Sequence, residues 1–401
     1  MSEKNVAQDY SIYWIVLLAL FTSLGPLSID MYLPALPQMA DDFGVSTQQI
    51  SNTLPAYFLG LALGQLFYGP ISDRIGRKKP LYFGMSLYVV ASLLCIFAPS
   101  DWAMIAARIL QALGGCVGVV IARAAIRDKL DLQASAQAFA SMMIVMGLAP
   151  VLAPIVGAFI LKFFCWQAIF ILLALIGSFC LICVHFFFKE TLAPERLLKL
   201  NFKQVVVLYY SIIQDRSFRL PMLAGCLTGA ALFSYISSAA SVFLEQFKLE
   251  PQLFSYVFAL NAFGIMLFSS LNKRLAQRLS IQMRLKLGGL IQFTGATIIF
   301  VVGYFDANVL SLVMVGVFMT VAGIGFTGPN AMALAMSQQG SRAGTASAIM
   351  GSAQFACGLL GGVLLNFLMG TALMNMGILM LIFTGLGCLA ILKLTKNLQH
   401  A

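Results

Sequence analysis

The sequence has little charge and almost no histidine. Charged residues make up 10% of its 401 residues, and 2 residues are His. A soluble domain is about 25% charged, so this chain does not have enough charge to cover a soluble surface of its size. The 8 cysteines form no CxxC pair and are scattered through apolar stretches. We therefore expect neither a metal site nor a disulfide framework.

Motifs of enzymes and ATP-driven pumps are also missing. The sequence contains no phosphate-binding P-loop and no recognisable pairing of a nucleophile with a base. We therefore expect no enzyme activity, no cofactor and no use of ATP by this chain. A channel or a membrane sensor is disfavoured as well, because the sequence shows no ring-forming acidic run, no filter-like sequence and no soluble signalling domain.

Hydrophobic residues, in contrast, make up 60% of the chain. Apolar runs near 20 residues long can cross a bilayer as helices, and twelve such runs occur here. The sequence therefore predicts an all-α polytopic membrane protein with 12 transmembrane helices. The predicted spans cover residues 12–36, 48–69, 80–98, 102–126, 136–161, 166–188, 219–244, 253–271, 285–304, 308–335, 344–368 and 372–392.

A polar segment separates the sixth and seventh predicted spans. It ends in apolar residues 205–213, which fit an amphipathic helix lying on the membrane surface. We predict an N-terminal six-helix bundle over residues 1–188, a cytoplasmic linker over 189–217 and a C-terminal six-helix bundle over 218–401. Weak similarities between the halves suggest pseudo-symmetry. Such a pair of bundles favours an alternating-access transporter, complete as a monomer, with its substrate site between them.

The distribution of basic residues predicts the orientation. Nearly all of the 25 Lys and Arg residues fall in predicted loops on one side. The opposite loops contain only Lys162 and Lys248, and Arg108 lies within a span. Because Lys and Arg are enriched in cytoplasmic loops, we place both termini in the cytoplasm, with lipid around the spans. The net charge of +10 is explained by these loops, so we expect no nucleic-acid partner.

Residues 69–79, GPISDRIGRKK, form a highly charged loop between spans 2 and 3. With Pro80 and Leu81 they match the motif G-x-L-A-D-R-x-G-R-K-x-x-L, apart from conservative departures at Ile71 and Ser72. Here the chain resembles the major facilitator superfamily, and the resemblance implies a cytoplasmic gate. The alternative is a loop whose cations only set the orientation. The implied gate residues are Gly69, Asp73, Arg74, Gly76, Arg77 and Lys78.

Further motifs indicate a group within that superfamily. RILQALGG (residues 108–115) resembles the family's R-x-x-Q-G motif, and APIVGA (residues 153–158) resembles its antiporter motif G-P-x-x-G-G, with alanine for two glycines. With SIDMYLPALPQMADDFGVS (residues 28–46), they make the chain similar to bicyclomycin-resistance drug:proton antiporters. The resemblance implies export of drug-like molecules such as antibiotics across the bacterial inner membrane, driven by the proton gradient. The alternative in the same fold is a proton-coupled carrier of one metabolite, a sugar or a peptide.

Two opposite charges lie inside predicted spans. Asp30 is the only acid placed within a span, and Arg108 lies at a similar depth in span 4. Because a buried charge needs a partner, we expect Asp30 and Arg108 to interact directly, or through Gln111 and water. Such a carboxyl group could exchange a proton as its surroundings change. The alternative for Asp30 is a structural role, for example capping the helix that bends at Pro26.

The remaining candidates concern helix packing and the substrate cavity. Pro150, Pro154 and Gly157 are expected to bend span 5 and allow close helix contact. Arg123 and Arg127, at the end of span 4, are assigned to solvent or lipid headgroups rather than to substrate. Polar and aromatic residues in mid-span are candidates for lining the cavity, with core packing or lipid contact as the alternative for the aromatic ones. They are Asn52, Tyr57, Phe58, Gln65, Tyr235, Asn261, Phe326, Asn330, Gln354 and Phe355.

Overall fold

A computed structural model describes residues 12–130, 132–196, 202–339 and 342–399. Over these residues the chain is helical and contains no β-strand. Eleven helices are long and apolar enough to cross a membrane. The helix over residues 132–163 covers the one remaining predicted span, the fifth. The expected all-α membrane fold is confirmed. Most of the residues before the first span, the last two residues and linker residues 197–201 lie outside the described part of the chain.

The first half of the chain supplies six spans. Their helices pack mainly on one another, with α6 contacting α1, α4 and α5, and α7 contacting α1. The helices are α1 (Ile12–Asp30), α2 (Leu36–Phe43), α3 (Thr47–Ile50), α4 (Thr53–Ile75), α5 (Lys78–Ile96), α6 (Asp101–Lys129), α7 (Leu132–Phe163) and α8 (Gln167–Phe186).

The second half begins with the expected amphipathic helix, α9, which packs on α10 and α15. The Tyr209 hydroxyl of α9 donates to the Leu66 carbonyl of α4 at 2.8 Å. The helices are α9 (Phe202–Gln214), α10 (Arg216–Ala240), α11 (Pro251–Leu275), α12 (Ile281–Tyr304), α13 (Leu310–Ala322), α14 (Ile324–Met336), α15 (Ala343–Leu365) and α16 (Ala372–Gln399). The helices α13 and α14 form one span interrupted at Gly323.

The first span is longer than predicted and is broken in the middle. Helix α1 ends at Asp30, a short 3-10 turn covers Leu33–Ala35, and α2 continues to Phe43. The break follows from Pro34, which has no N–H to donate to the Asp30 carbonyl four residues earlier. Asp30 therefore lies at a helix end inside the bundle, whereas the predicted span ran without interruption to residue 36.

Two glycines bring other helices against the backbone of the first span. A Cβ atom at Gly157 of α7 would overlap the carbonyl oxygen of Met31, directly after the break. A Cβ atom at Gly118 of α6 would overlap the carbonyl oxygen of Phe21 in the same way. These contacts fix the position of the Asp30 break. Pro150 and Pro154 lie inside α7, as predicted for span 5.

The two ends of the bundle differ in charge. We call the turns at residues 76–77, 187–193, 276–280 and 337–339 the basic end, and the turns at residues 44–46, 97–100, 164–166, 247–250 and 305–309 the acidic end. Six acids lie in or beside the acidic-end turns. They are Asp41, Asp42, Asp101, Glu245, Glu250 and Asp306.

The two sets of helices pack closely at the acidic end and enclose a cavity towards the basic end. The Asn366 side-chain amide donates to Asn52 Oδ1 at 2.6 Å, and Ser255 Oγ donates to the Pro154 carbonyl at 2.9 Å. At Gly362 of α15 a Cβ atom would overlap the ring of Pro55. Towards the basic end, the same helix sets line a cavity of about 610 Å³.

The close approach of α7 to the first span predicts a stability effect. The substitution Gly157→Ala forces α7 away from the Met31 carbonyl, and overpacking of this kind costs about 2 kcal/mol. We expect a lower melting temperature for the purified protein in detergent, measured by scanning fluorimetry. The matched control is Gly147→Ala on the same helix, whose Cβ meets only the flexible Met266 side chain at 3.5 Å. Equal melting temperatures for the two variants would contradict this interpretation.

Candidate functional site

Arg77 is the centre of a charge cluster on the wall of the cavity. Its side chain is buried; Nη1 donates to Asp73 Oδ1 at 2.5 Å and to Ser72 Oγ at 2.7 Å. Its Nε donates to Asp128 Oδ2 at 2.8 Å. Burial opposes the charge of Arg77, but the bonds to Asp128 and the charge of Asp73 outweigh it and raise the pKa of Arg77. The cluster ties the ends of α4 and α6 to the start of α5.

Gly76 and Glu190 complete this turn. The Glu190 carboxylate accepts the backbone N–H groups of Arg77 at 2.9 Å and Lys78 at 3.0 Å, together with those of its own neighbours Thr191 and Leu192. Burial alone would raise the pKa of Glu190, but these four N–H groups lower it. Gly76 has a φ of +90°, and a Cβ there would lie 2.6 Å from Glu190 Oε2. Glycine is therefore required at this position.

The other predicted gate residues have looser surroundings. Gly69 lines the cavity, and a Cβ there would meet open space. Arg74 is exposed. The Lys78 ammonium donates to the His185 carbonyl at 3.4 Å. Of the six predicted residues, Arg77 has the most short hydrogen bonds, Asp73 is bonded to it, and Gly76 is required by its positive φ.

Arg108 is fully buried between two tyrosine rings. Its guanidinium carbon lies 4.3 Å from the ring centre of Tyr32 and 4.2 Å from that of Tyr57. Its Nη1 donates to Gln111 Oε1 at 2.6 Å, and its Nη2 donates to the Ser28 carbonyl at 2.8 Å. Stacking on aromatic faces and hydrogen bonding to carbonyl groups both favour a buried arginine. The structure thus brings the predicted pair Arg108 and Gln111 together.

Asp30 does not form the direct ion pair that we expected with Arg108. Within the described part of the chain, no cation lies within 4 Å of its carboxylate. Arg108 reaches α1 at the Ser28 carbonyl instead, two residues before Asp30. Asp30 itself is almost completely buried.

Several of the predicted cavity residues meet at the contact between the two halves. The Asn261 side-chain amide donates to the Tyr235 hydroxyl at 3.0 Å. Phe58 of α4 and Phe355 of α15 have ring centres 6.4 Å apart, with Phe233 of α10 between them at 4.7 and 5.6 Å. In this structure these aromatic residues pack together, and sequence reasoning did not identify Phe233.

The remaining predicted cavity residues are dispersed. Gln65 lines the cavity, whereas Gln354 packs near Gly229. Asn330 donates to Asn272 Oδ1 at 3.0 Å, and Phe326 packs on Phe268, so both serve packing among the C-terminal helices. Asn52 was placed in mid-span but lies at the acidic end, directly before α4, where it accepts from the Asn366 amide.

Asp128, Arg123 and Arg127 are the residues whose roles sequence reasoning missed. All three line the cavity with Arg77 and Asp73. The signal was present in the stretch RAAIRD, residues 123–128, which contains three charges at the end of a long apolar span. Helical spacing puts Arg123 and Arg127 on one face, but only the packing of α6 shows that this face is turned to the cavity rather than to lipid.

Comparisons with known proteins agree with this architecture. The family model described as Major Facilitator Superfamily matches residues 18–362. An uncharacterized MFS-type transporter, YdgK, of Bacillus subtilis is 32% identical over 387 residues, covering 95% of both chains. A bicyclomycin resistance protein homolog of Haemophilus influenzae is 28% identical, covering 91% of this chain and 92% of the relative. The multidrug resistance protein MdtL of Escherichia coli is 30% identical, covering 84% and 83%.

Solved structures of low sequence identity share the fold. A bacterial homolog of the human lysosomal transporter Spinster, in an inward-facing and occupied conformation, has a TM-score of 0.72 at 14% identity, covering 96% of both chains. A D-xylose-proton symporter has a TM-score of 0.71 at 14% identity, covering 95% of this chain and 96% of that one. The expected resemblance to bicyclomycin-resistance transporters is confirmed by the sequence relatives, and the chain belongs to the major facilitator superfamily of transporters.

Proposed function

We propose that this protein exports drug-like small molecules in exchange for protons, by alternating access across the bacterial inner membrane. The observation that carries the proposal is the cavity of about 610 Å³ between two helix sets that are sealed at the opposite end. The names of the relatives, which refer to bicyclomycin and multidrug resistance, support a drug-like cargo. The proton gradient drives this exchange without a cofactor, and one chain surrounded by lipid is sufficient.

The direction of the cavity follows from the charge of the loops. Because Lys and Arg are enriched on the cytoplasmic side, the basic end and both termini face the cytoplasm. In this proposal the arrangement is the inward-open state of the transport cycle. Residues 1–188 and 218–401 act as the two moving bundles, and the linker 189–217 connects them through α9. Closure at the basic end and opening at the acidic end would expose the same site to the outside.

Asp30 is the proton-binding group in this proposal. A carboxylate deep in an apolar bundle has a large desolvation cost, which a proton removes. Asp30 lies at a helix break and is almost completely buried within the bundle. Separation of the bundles at the acidic end would admit water to this carboxylate, and closure would remove it. Protonation of Asp30 is thereby linked to the closed acidic end.

Arg108 and Gln111 have a positioning role in this cycle. Arg108 holds the last turn of α1 through the Ser28 carbonyl at 2.8 Å, and Gln111 holds Arg108 while donating to Ser92 Oγ at 2.8 Å. A movement of the break at Asp30 therefore changes the contacts of the fully buried Arg108 guanidinium. Asp30 and Arg108 are coupled indirectly, because Arg108 binds the backbone two residues before Asp30.

The cluster around Arg77 is the cytoplasmic gate. Asp73 faces the cavity, and Arg342 and Gly344 at the start of α15 line the cavity as well. When the cavity closes, Asp73 approaches this helix start, whose positive dipole end attracts a carboxylate. Arg77 holds Asp73 in place for that contact, while Asp128 and Glu190 hold Arg77 and its turn.

A susceptibility panel tests the function as a whole. Cells that express the protein should tolerate several unrelated antibiotics better than cells with an empty vector, and a protonophore should abolish the difference. Resistance that survives uncoupling would contradict proton exchange. An unchanged panel, together with uptake or release of a single sugar or peptide, would instead support the metabolite carrier.

The role of Asp30 predicts a specific loss of proton coupling. In proteoliposomes that contain a pH-sensitive dye, Asp30→Asn should reduce substrate-driven proton flux about tenfold or more, because the amide cannot bind a proton. The control is Asp101→Asn, an equally enclosed acid at the acidic end that accepts from the Gln49 amide at 2.7 Å. It should retain most of the flux. Normal proton flux in Asp30→Asn would exclude this role.

The gate predicts a shift between conformations. Asp73→Asn weakens closure at the basic end, so the protein remains inward-open for longer. We expect faster hydrogen–deuterium exchange in the first turn of α15 and a transport rate lowered about tenfold, for a loss of about 1.4 kcal/mol. Lys79→Gln, which removes an exposed charge from the same segment outside the predicted gate residues, should leave both unchanged. The gate would be refuted if Asp73→Asn behaved like this control.

A further inference from the structure

The cavity contains more positive than negative charge. Four arginines line it, at positions 77, 123, 127 and 342, together with two acids, Asp73 and Asp128. Both acids bind Arg77. Arg342 lies 3.8 Å from Asp215. The charges of Arg123 and Arg127 are left without an ion-pair partner among the described residues.

Arg123 is the more enclosed of the two. It lies on α6, six residues before Lys129, the last residue of the helix; at 1.5 Å per residue this is about 9 Å from the helix end. No carboxylate lies within 4 Å of it in the described part of the chain, and the Arg127 guanidinium, donating to its carbonyl at 3.3 Å, adds a like charge nearby. An enclosed charge of this kind is costly without a counter-ion.

The facing wall adds groups that favour an anion. A Cβ at Gly344 of α15 would lie 2.5 Å from Arg127 Nη1, so the Arg127 guanidinium reaches across the cavity to the backbone of α15. Thr345 and Ser347 offer hydroxyl groups to the same cavity. Helix α15 begins without a side-chain cap, so the positive end of its dipole adds to the field of the arginines.

We propose that Arg123, with Arg127, binds an acidic group of the transported compound. A guanidinium presents paired N–H donors that match a carboxylate, sulfonate or phosphate. The rest of the cavity contains apolar side chains such as Val120, Phe139, Met332 and Met336, which suit an apolar body. The preferred cargo is therefore an organic acid with an apolar body. This proposal depends on the proposed export function and specifies its substrate class.

An anionic lipid headgroup carries the same chemistry. We favour the transported acid, because Arg123 faces a cavity between the two bundles and lies about two helical turns inside the end of α6. The two sources are separable by the lipid used around the purified protein. A headgroup in the site would compete with a dissolved acid only when the membrane contains anionic lipid.

A pair of dyes tests the proposal directly. Tetramethylrhodamine has a free carboxylate, and its methyl ester differs only by the loss of that charge. Binding to the full-length protein in phosphatidylcholine nanodiscs is measured by fluorescence polarisation. We expect the acid to bind about tenfold more tightly than the ester. Arg123→Gln should lower the affinity for the acid about tenfold and change the affinity for the ester less than twofold. The control Lys79→Gln, which removes an exposed charge of the neighbouring loop, should change neither.

Competition experiments use the unmodified protein, so their result does not depend on whether Arg123→Gln folds. Benzoate should displace the acid dye, and benzamide should not. Equal affinities of acid and ester, or displacement by both competitors, would overturn the proposal. If phosphatidylglycerol in the nanodiscs abolishes binding of the acid dye to the unmodified protein but does not change dye binding by Arg123→Gln, the occupant of the site is a lipid headgroup and not the transported acid. These assays measure binding, so a failed resistance panel alongside selective acid binding would reject the export function alone.

Discussion

The burial of Arg108 is the interaction on which the N-terminal helices are organised. A fully buried guanidinium must form its hydrogen bonds with groups on neighbouring helices. Tyr32 and Tyr57 provide the two faces, Gln111 accepts from the same helix, and the Ser28 carbonyl accepts from α1. Ser28 Oγ and the Tyr88 hydroxyl, 2.7 Å apart, extend the network to α5. Satisfying one charge therefore fixes the relative positions of the helices that carry these groups.

The broken first span places Asp30 under a different constraint. Pro34 ends α1, and Gly157 lets the α7 backbone press on the residue after Asp30. Among the described residues no cation lies within 4 Å of the Asp30 carboxylate, which is almost completely buried. A buried titratable group without a direct ion pair suits the proton-binding role proposed for it, because a strong ion pair with Arg108 would favour the charged form permanently.

The arginines at the basic end differ in how completely their charges are balanced. Arg77 has two carboxylate partners within 4 Å, and its turn is fixed by Glu190. Such a cluster is complete without a ligand, as the proposed gate requires. Arg123 has no acid within the same distance among the described residues, although it faces a space large enough for a small molecule. The contrast between a balanced and an unbalanced arginine separates the proposed gate from the proposed cargo site.

The sequence by itself determined the number of spans, the clustering of the basic residues in loops at one end, and the presence of Asp30 and Arg108 inside spans. These properties depend on the hydrocarbon thickness, on the cost of charge within it and on local motifs. Tertiary structure decided which groups meet. Arg77 finds Asp128 and Glu190, which are 51 and 113 residues away, and Arg123 faces the cavity instead of lipid. The physical reason is that apolar helices in a membrane have no strongly polar face to set their rotation, so packing between distant residues determines where each side chain points.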